Sequence, residues 1–281
     1  STGGSVTGFN SETGQRLWSV QLGPEDVPSK AAVSNSDLVF VAAGRTLFCL
    51  DKFSGRQLWE IKIPKVLSTS PTVDEQQIFF ASHDGSVFAF DFRRIRSLFE
   101  TGELEELGFR ARQWRYKTGK EITTPPLSVK NAIVFASRDN SLYCLSSNLP
   151  NPTKLMWQSE TTAPTSAPMV FFDGALFVAS EDFNLYCLDI RNGTSRWRPF
   201  PSGFPIRQTP QVIGKQVFVL PDGAGVYCLS AVNGKRIWWR YGPRQFVGAT
   251  RTRIFTTDSR GDVLILDRDK GRLHGTMPLR Q

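Results

Sequence analysis

"LYCLDIRNGTSRW", residues 185–197, carries the pattern that decides the fold. It alternates apolar and small side chains as a half-buried strand does, meets Asp189, turns at Asn192-Gly193 and arrives at Trp197. The phrase returns as "VTGFNSETGQRLW" (6–18), "LFCLDKFSGRQLW" (47–59), "VFAFD" with a distant "ARQW", "LYCLSSNLPNPTKLMW" (142–157), "VYCLSAVNGKRIW" (226–238) and "VLILDRDKGRLHG" (263–275). Aligning the third residue of each copy gives Gly8, Cys49, Ala89, Cys144, Cys187, Cys228 and Ile265, at intervals of 41, 40, 55, 43, 41 and 37. A period near 41 therefore holds for every interval but one.

From the second copy onward, each phrase is preceded by a Pro-led stretch such as "TSPTV" or "SAPMV", then by an apolar one such as "QIFFAS" or "ALFVAS". "HDGS", "RDNS", "EDFN" and "DGAG" lie between and suit tight hairpins. Each unit reads as four short antiparallel strands, with no helical pattern between units. The expectation is an all-β, seven-bladed β-propeller of four-stranded antiparallel blades, forming one domain over residues 1–281 and closed into a ring to cover its apolar faces. The opening copy holds only third and fourth strands, and residues 276–281 supply at most one partner for them. Either the seventh blade is incomplete or the native chain continues past Gln281.

All four cysteines sit at one repeat position, shared with Gly, Ala and Ile, so the site wants a compact side chain and the thiols are expected free and buried. The tryptophans share another position: Trp18, Trp59, Trp114, Trp157, Trp197 and Trp238, with Trp239 adjacent. Gly14, Gly55, Gly193 and Gly234, four residues before their tryptophans, are expected to supply positive-φ turns, and the indoles to plug each blade against its neighbour.

"NSETGQRLW", "LDKFSGRQLW", "LDIRNGTSRW" and "LSAVNGKRIW" resemble the quinoprotein-like (PQQ-type) β-propeller repeat: a small residue, Asp, then Thr-Gly-x-x-x-Trp. Copies at Trp114 and Trp157 are degenerate, and in the last Gly275 replaces the tryptophan. The resemblance spans almost the whole chain and implies one of two roles. The family includes quinone-dependent dehydrogenases, which are similar in carrying adjacent bonded cysteines and a calcium site; this chain has no Cys-Cys pair. The non-catalytic, BamB-like branch is the nearer resemblance and implies a scaffold for protein interaction or assembly at a bacterial cell envelope, without cofactor or metal. A PQQ-dependent or other cofactor-dependent oxidoreductase is the alternative, and an anion or nucleic-acid binder a weaker one. The resemblance favours periplasm or envelope, while free cysteines leave the cytoplasm open.

The 281 residues, 40% of them hydrophobic, suit a globular protein, and no apolar run approaches the roughly 18 residues of a membrane span. The chain opens Ser-Thr-Gly-Gly, which leaves a removed leader or anchor open. The net charge of +8 is dispersed apart from Arg93, Arg94, Arg96 and Arg110, Arg112, Arg115, and reads mainly as solvated surface. His83 and His274 belong to no catalytic constellation, and no nucleophile elbow or phosphate loop occurs.

Two surfaces are candidates for a protein partner of a monomeric chain. The long interval inserts about 14 residues around 93–112, where Ile95, Leu98, Phe99, Leu104, Leu107 and Phe109 fall at spacings suiting one or two short helices. Arg94, Arg96, Phe99 and Arg110 are its candidate contacts, against the reading of a tolerated surface excursion. The second is the rim where innermost strands begin: Thr69, Thr123, Arg207, Gln208 and Phe246, around a central channel that also suits a small molecule. Arg207 and Gln208 there suit a carboxylate or peptide backbone, against a lining that only stabilises turns.

Overall fold

The structure, a computed structural model, describes residues 4–22, 32–63, 65–147 and 155–278. Seven antiparallel sheets follow in chain order, one for each copy of the phrase. The first is a pair, β1 (Ser5–Phe9) and β2 (Arg16–Gln21). The second runs β3 (Val33–Ser34), β4 (Leu38–Ala43), β5 (Thr46–Asp51), β6 (Gln57–Lys62). The third is β7 (Thr72–Val73), β8 (Gln77–Ala81), β9 (Ser86–Asp91) and β10 (Arg112–Lys117), with helix α1 (Phe92–Glu100) and a single 3₁₀ turn, Phe109–Ala111, inserted before β10. The fourth is β11 (Leu127–Val129), β12 (Ala132–Ala136), β13 (Ser141–Ser146) and β14 (Leu155–Glu160). The fifth is β15 (Val170–Phe172), β16 (Ala175–Ala179), β17 (Asn184–Asp189) and β18 (Phe200–Pro201). The sixth is β19 (Gln211–Ile213), β20 (Gln216–Val219), β21 (Val226–Ser230) and β22 (Arg236–Arg240). The seventh is β23 (Gln245–Ala249), β24 (Arg253–Thr257), β25 (Val263–Asp267) and β26 (Leu273–Met277).

The opening copy is indeed two strands. Thr276 and Met277 do not partner it: they pair with Leu264 and Val263 and complete the seventh sheet, while residues 279–281 lie outside the described residues. The chain divides into two compact units, Ser1–Asp139 with Leu145–Leu155 and Asn140–Cys144 with Met156–Gln281, the division falling in the fourth sheet. Each unit has its own apolar clusters, one around Phe40, Trp59, Ile78 and Phe80, the other around Phe177, Cys187, Trp197 and Val217. No described helix is long and apolar enough to cross a membrane.

Turn chemistry follows from the Asp-to-Gly segment. Asp51 Oδ1 accepts from the backbone N–H of Phe53 and Ser54, as Asp267 Oδ1 does from Asp269 and Lys270. The glycine four residues on donates back to the carbonyl of that first residue in five copies: Gly14, Gly55, Gly193, Gly234 and Gly271, at 2.8–2.9 Å and φ of 66–72°. That conformation is strained for any residue with a Cβ.

Within each unit the glycine has a second duty. Trp18 lies over Gly55, Trp157 over Gly193, Trp197 over Gly234 and Trp238 over Gly271, so close that an added Cβ would meet the indole at 2.5–2.7 Å. Each of these indoles donates its N–H to a carbonyl of the same turn: Trp18 to Lys52, Trp157 to Ile190, Trp197 to Ala231 and Trp238 to Arg268, at 2.7–3.4 Å. Burying an indole removes about 200 Å² from water, on the order of 5 kcal/mol before entropy is counted. The compact residue of the third strand explains itself by register. Gly8, Cys49, Ala89 and Cys228 face Trp18, Trp59, Trp114 and Trp238, and a Cβ on Gly8 would lie 2.4 Å from Trp18. A bulge beside this pair recurs in the first, second, third, sixth and seventh sheets.

A third device is a buried hydroxyl after the last strand. Thr118 Oγ1 donates toward the carbonyls of Gly85 and Lys120, Thr161 toward Asn140 and Ala163, and Ser202 toward Phe183 and Phe204. Each pins the exit of a sheet to its own hairpin. The four cysteines are free and buried, as expected; burial pushes Cys49, Cys144 and Cys228 up to about 12 and Cys187 up to about 11.

Gly193→Ala is expected to destabilise the protein by about 2–4 kcal/mol in denaturant unfolding, against about 1 kcal/mol for Gly203→Ala, whose φ is also positive but whose Cβ meets nothing. Equal costs would mean that the indole contact carries nothing. The thiols are protonated in the fold and ionise more readily when unfolded. Their contribution to stability is therefore complete below the unfolded thiol pKa near 9 and falls as pH rises from there toward 12, which chemical unfolding at stepped alkaline pH checks.

Candidate functional site

In the first unit the insertion begins without disturbing the repeat. Asp91 occupies the position of Asp51, but its Oδ1 caps a helix, accepting from Arg93 N at 2.9 Å and Arg94 N at 3.0 Å. Ile95 falls where other copies have glycine, and it is fully buried. Phe92, Ile95 and Leu98 form the inward stripe of α1 and join Phe40, Trp59, Ile61 and Ala111 in one cluster, with Phe40 5.6 Å from Phe92 and 5.9 Å from Trp59.

The outward face carries the residues singled out by sequence. Arg96 Nε bonds Glu100 at 2.8 Å, and that hydrogen bond, with the Glu100 charge, raises the guanidinium pKa. Arg110 pairs with Glu103 at 2.9 Å, and Phe99 is 49% exposed. Arg94 is exposed and makes no ion pair among the described residues. One arginine of each basic arm is thus paired with the acidic centre between them. Between α1 and the turn before β4 a groove of about 290 Å³ opens, lined by Asn35, Asp37, Leu38, Trp59, Arg93 and Arg96 among others.

The rim residues do not stand free. Thr69 is buried and donates to the Ser70 carbonyl, and Thr123 donates to Ala136, so both hydroxyls serve the local backbone. In the second unit Arg207 pairs with Asp222 and, at 3.2 Å, with Glu181; the Asp222 hydrogen bond, then the Glu181 charge, raise its pKa. Gln208 Nε2 donates to the Arg244 carbonyl at 2.6 Å. Phe246 lies within β23, half-buried against Phe218 and Ile254, and also lines a surface cavity with Gln211, Val247 and Arg251 among others.

Phe204 on the same connection as Arg207, Phe183 on the hairpin of Glu181 and Tyr241 on the connection after β22 add three aromatics that the sequence reading does not single out. Phe183 is 46%, Phe204 50% and Tyr241 64% exposed. Hydrogen bonds through Ser202 tie Phe183 to Phe204, Pro205 accepts from Asp222 N, and Arg244 lies 5.8 Å from the Tyr241 ring. The signal in the sequence was an aromatic at turn positions that other copies fill with small or polar residues. The first unit shows a polar counterpart: burial raises the Asp84 carboxyl, but hydrogen bonds from Ser82 and Ser86 outweigh it and hold the group at about 2, with Lys65, Arg115 and Lys117 within 3.9 Å.

The profile of the PQQ-type family described as "Outer membrane protein assembly factor BamB" matches residues 2–106 and 148–280. Among solved structures the chain is similar to BamB from Moraxella catarrhalis, with 16% identity, a TM-score of 0.77, and coverage of 98% of this chain and 80% of that one. It is also similar to the computationally designed Ika8 protein, with 12% identity, a TM-score of 0.71 and coverage of 98% and 81%. No curated protein sequence matches. The likeness identifies the seven sheets as blades of a β-propeller of the BamB type.

Replacing Asp91 by Ala removes the cap of α1 at a cost of about 1 kcal/mol. Hydrogen exchange at the amides of Ile95 and Leu98 should quicken roughly five-fold, with the amides of β20 unchanged.

Proposed function

The chain belongs to the family of the outer membrane protein assembly factor BamB, and on that premise we propose that it is a non-enzymatic propeller scaffold that binds protein partners during outer-membrane assembly in a bacterial envelope. The observation that carries this reading is the rim of the second unit. Arg207, held by Glu181 and Asp222, sits on the connection that carries exposed Phe204, and Glu181 on the hairpin that carries exposed Phe183. Arg and aromatic anchors held rigid before contact are the composition of interface hot spots. Because Glu181 and Asp222 already neutralise Arg207, the rim favours a partner surface with apolar pockets and hydrogen-bond acceptors over a free anion.

The repeats support the same reading. Their tryptophans, turn carboxylates and buried hydroxyls are all engaged in holding sheets together, which leaves loops on the rims as the variable surface. A rigid array of sheets presenting short loops offers a partner a preformed surface.

The test places a photo-crosslinking amino acid at Phe204 and, separately, at exposed Phe172, in a bacterial strain with an outer membrane. The expected result is crosslinking of outer-membrane assembly proteins from position 204, reduced at least about ten-fold by Arg207→Glu. Equal crosslinking from both positions, or insensitivity to Arg207→Glu, would sink the rim assignment.

A further inference from the structure

A cavity of about 610 Å³ in the second unit carries an inference apart from the rim at Arg207. It lies between the first strands of the sixth and seventh sheets, with Ile213 of β19 on one side and Phe246, Val247 and Gly248 of β23 on the other. Phe246 faces Thr256 and Gly248 faces Phe255, so Val247 is an extra residue without a partner on β24, and it is 58% exposed. None of the first strands β3, β7, β11, β15 and β19 carries such a bulge. A bulge re-aims the side chains around it, and bulges recur beside functional sites. A Cβ added to Gly248 would meet nothing within 4 Å, so the bulge fronts open space.

Two arginines set the chemistry of that space. Arg251 is exposed on the hairpin between β23 and β24, Arg268 follows β25, and both line the cavity. No aspartate or glutamate is among the described residues lining it. The Arg251 side chain makes no ion pair or hydrogen bond among the described residues. Arg268 Nε is buried without a hydrogen-bond partner and lies 3.7 Å from Asp269 Oδ1, on a carboxylate that is 68% exposed and accepts from Gln216 Nε2 at 3.1 Å. The two outer nitrogens of that guanidinium make no hydrogen bond among the described residues. Lys52, which follows Asp51 as Arg268 follows Asp267, instead donates its ammonium to the Asn35 carbonyl at 3.0 Å. Thr250 Oγ1 also lines the cavity and accepts from Arg253 N, which leaves its O–H to donate.

This arrangement suits an anion with an apolar body. Two oxygens of a carboxylate or phosphate match the outer nitrogens of one guanidinium as a parallel pair of hydrogen bonds, and a second arginine adds charge. Ile213, Phe246 and Val247 offer an apolar wall to the rest of the molecule. The volume falls within the roughly 300–1,000 Å³ of small-molecule sites. We infer that this cavity binds a small organic oxyanion, a carboxylate or phosphate monoester carrying a short apolar body, with its head on Arg268 and Arg251. This goes beyond the scaffold reading and does not rest on it.

The test titrates the intact, isotopically labelled chain and follows the Gly248 amide by NMR. The probes are 3-phenylpropionate, phenyl phosphate, acetate and the uncharged 3-phenylpropanamide. One or both of the first two should shift Gly248 saturably with a dissociation constant of roughly 0.1–3 mM, and the tighter of them identifies the head group. Acetate and the amide should each bind at least about ten-fold more weakly. Arg268→Gln should weaken the better probe about ten-fold and Arg251→Gln about three-fold. If Arg268→Gln does not fold, Val247→Glu, which brings a like charge to an exposed position of the lining, should abolish binding in its place. Arg260→Gln, on the hairpin between β24 and β25, should leave the affinity unchanged. A Gly248 amide that moves with neither oxyanion, acetate or the uncharged probe binding as tightly as they do, or an Arg260→Gln effect equal to that of Arg251→Gln would each overturn the proposal.

Discussion

An indole laid flat on a bare turn is the contact on which the rest of this protein depends. It couples three positions far apart in sequence. The turn must be glycine, because a Cβ there would sit 2.5–2.7 Å from the ring. The residue facing the tryptophan across the strand pair must be compact, which makes Gly8, Cys49, Ala89 and Cys228 equivalent. The indole N–H then finds a carbonyl of the same turn, so a large apolar group is buried with its single polar atom satisfied. Where Gly275 replaces the tryptophan, facing Ile265, the strand β25 is only half-buried over Val263, Leu264 and Ile265. The corresponding β9 is fully buried from Ser86 to Phe90.

Much of this was legible because repetition turns one ambiguous phrase into seven aligned ones. The strands, the positive-φ glycines, the buried free thiols and the helical insertion all follow from pattern and period. The second duty of glycine did not. Gly193 meets Trp157 and Gly234 meets Trp197, each partner belonging to the copy before, and nothing within one phrase reveals a contact that far along the chain. The exit hydroxyls escaped for a related reason. Thr118, Thr161 and Ser202 look like ordinary turn residues until their two acceptors are seen to lie one on the hairpin and one on the connection.

The candidate surfaces were legible in part. Ile95 and Leu98 at helical spacing gave α1, and the charge of its outer face was plain in the letters. The groove was not, since its opposite wall comes from Asn35 to Leu38, before the repeat phrase of an earlier copy. Thr69 and Thr123 looked available from sequence, yet a hydroxyl in a short connection finds the nearest carbonyl first. Arg207 looked like a free cation because Glu181 and Asp222, 26 and 15 residues away, could not be placed beside it from spacing alone.

The aspartate that ends the third strand in four of the sheets, Asp51, Asp91, Asp189 and Asp267, carries an implication for how such chains change. In one copy it opens a short reversal and in another a nine-residue helix, yet the strand that follows resumes opposite the same partner, Trp59 against Cys49 and Trp114 against Ala89. Segment size at that junction is uncoupled from sheet geometry. Asp91 thus marks the one junction among the described sheets where the scaffold already carries extra chain while the strand behind it keeps its register, and the turns after Asp51, Asp189 and Asp267, each lying under an indole, leave no such freedom.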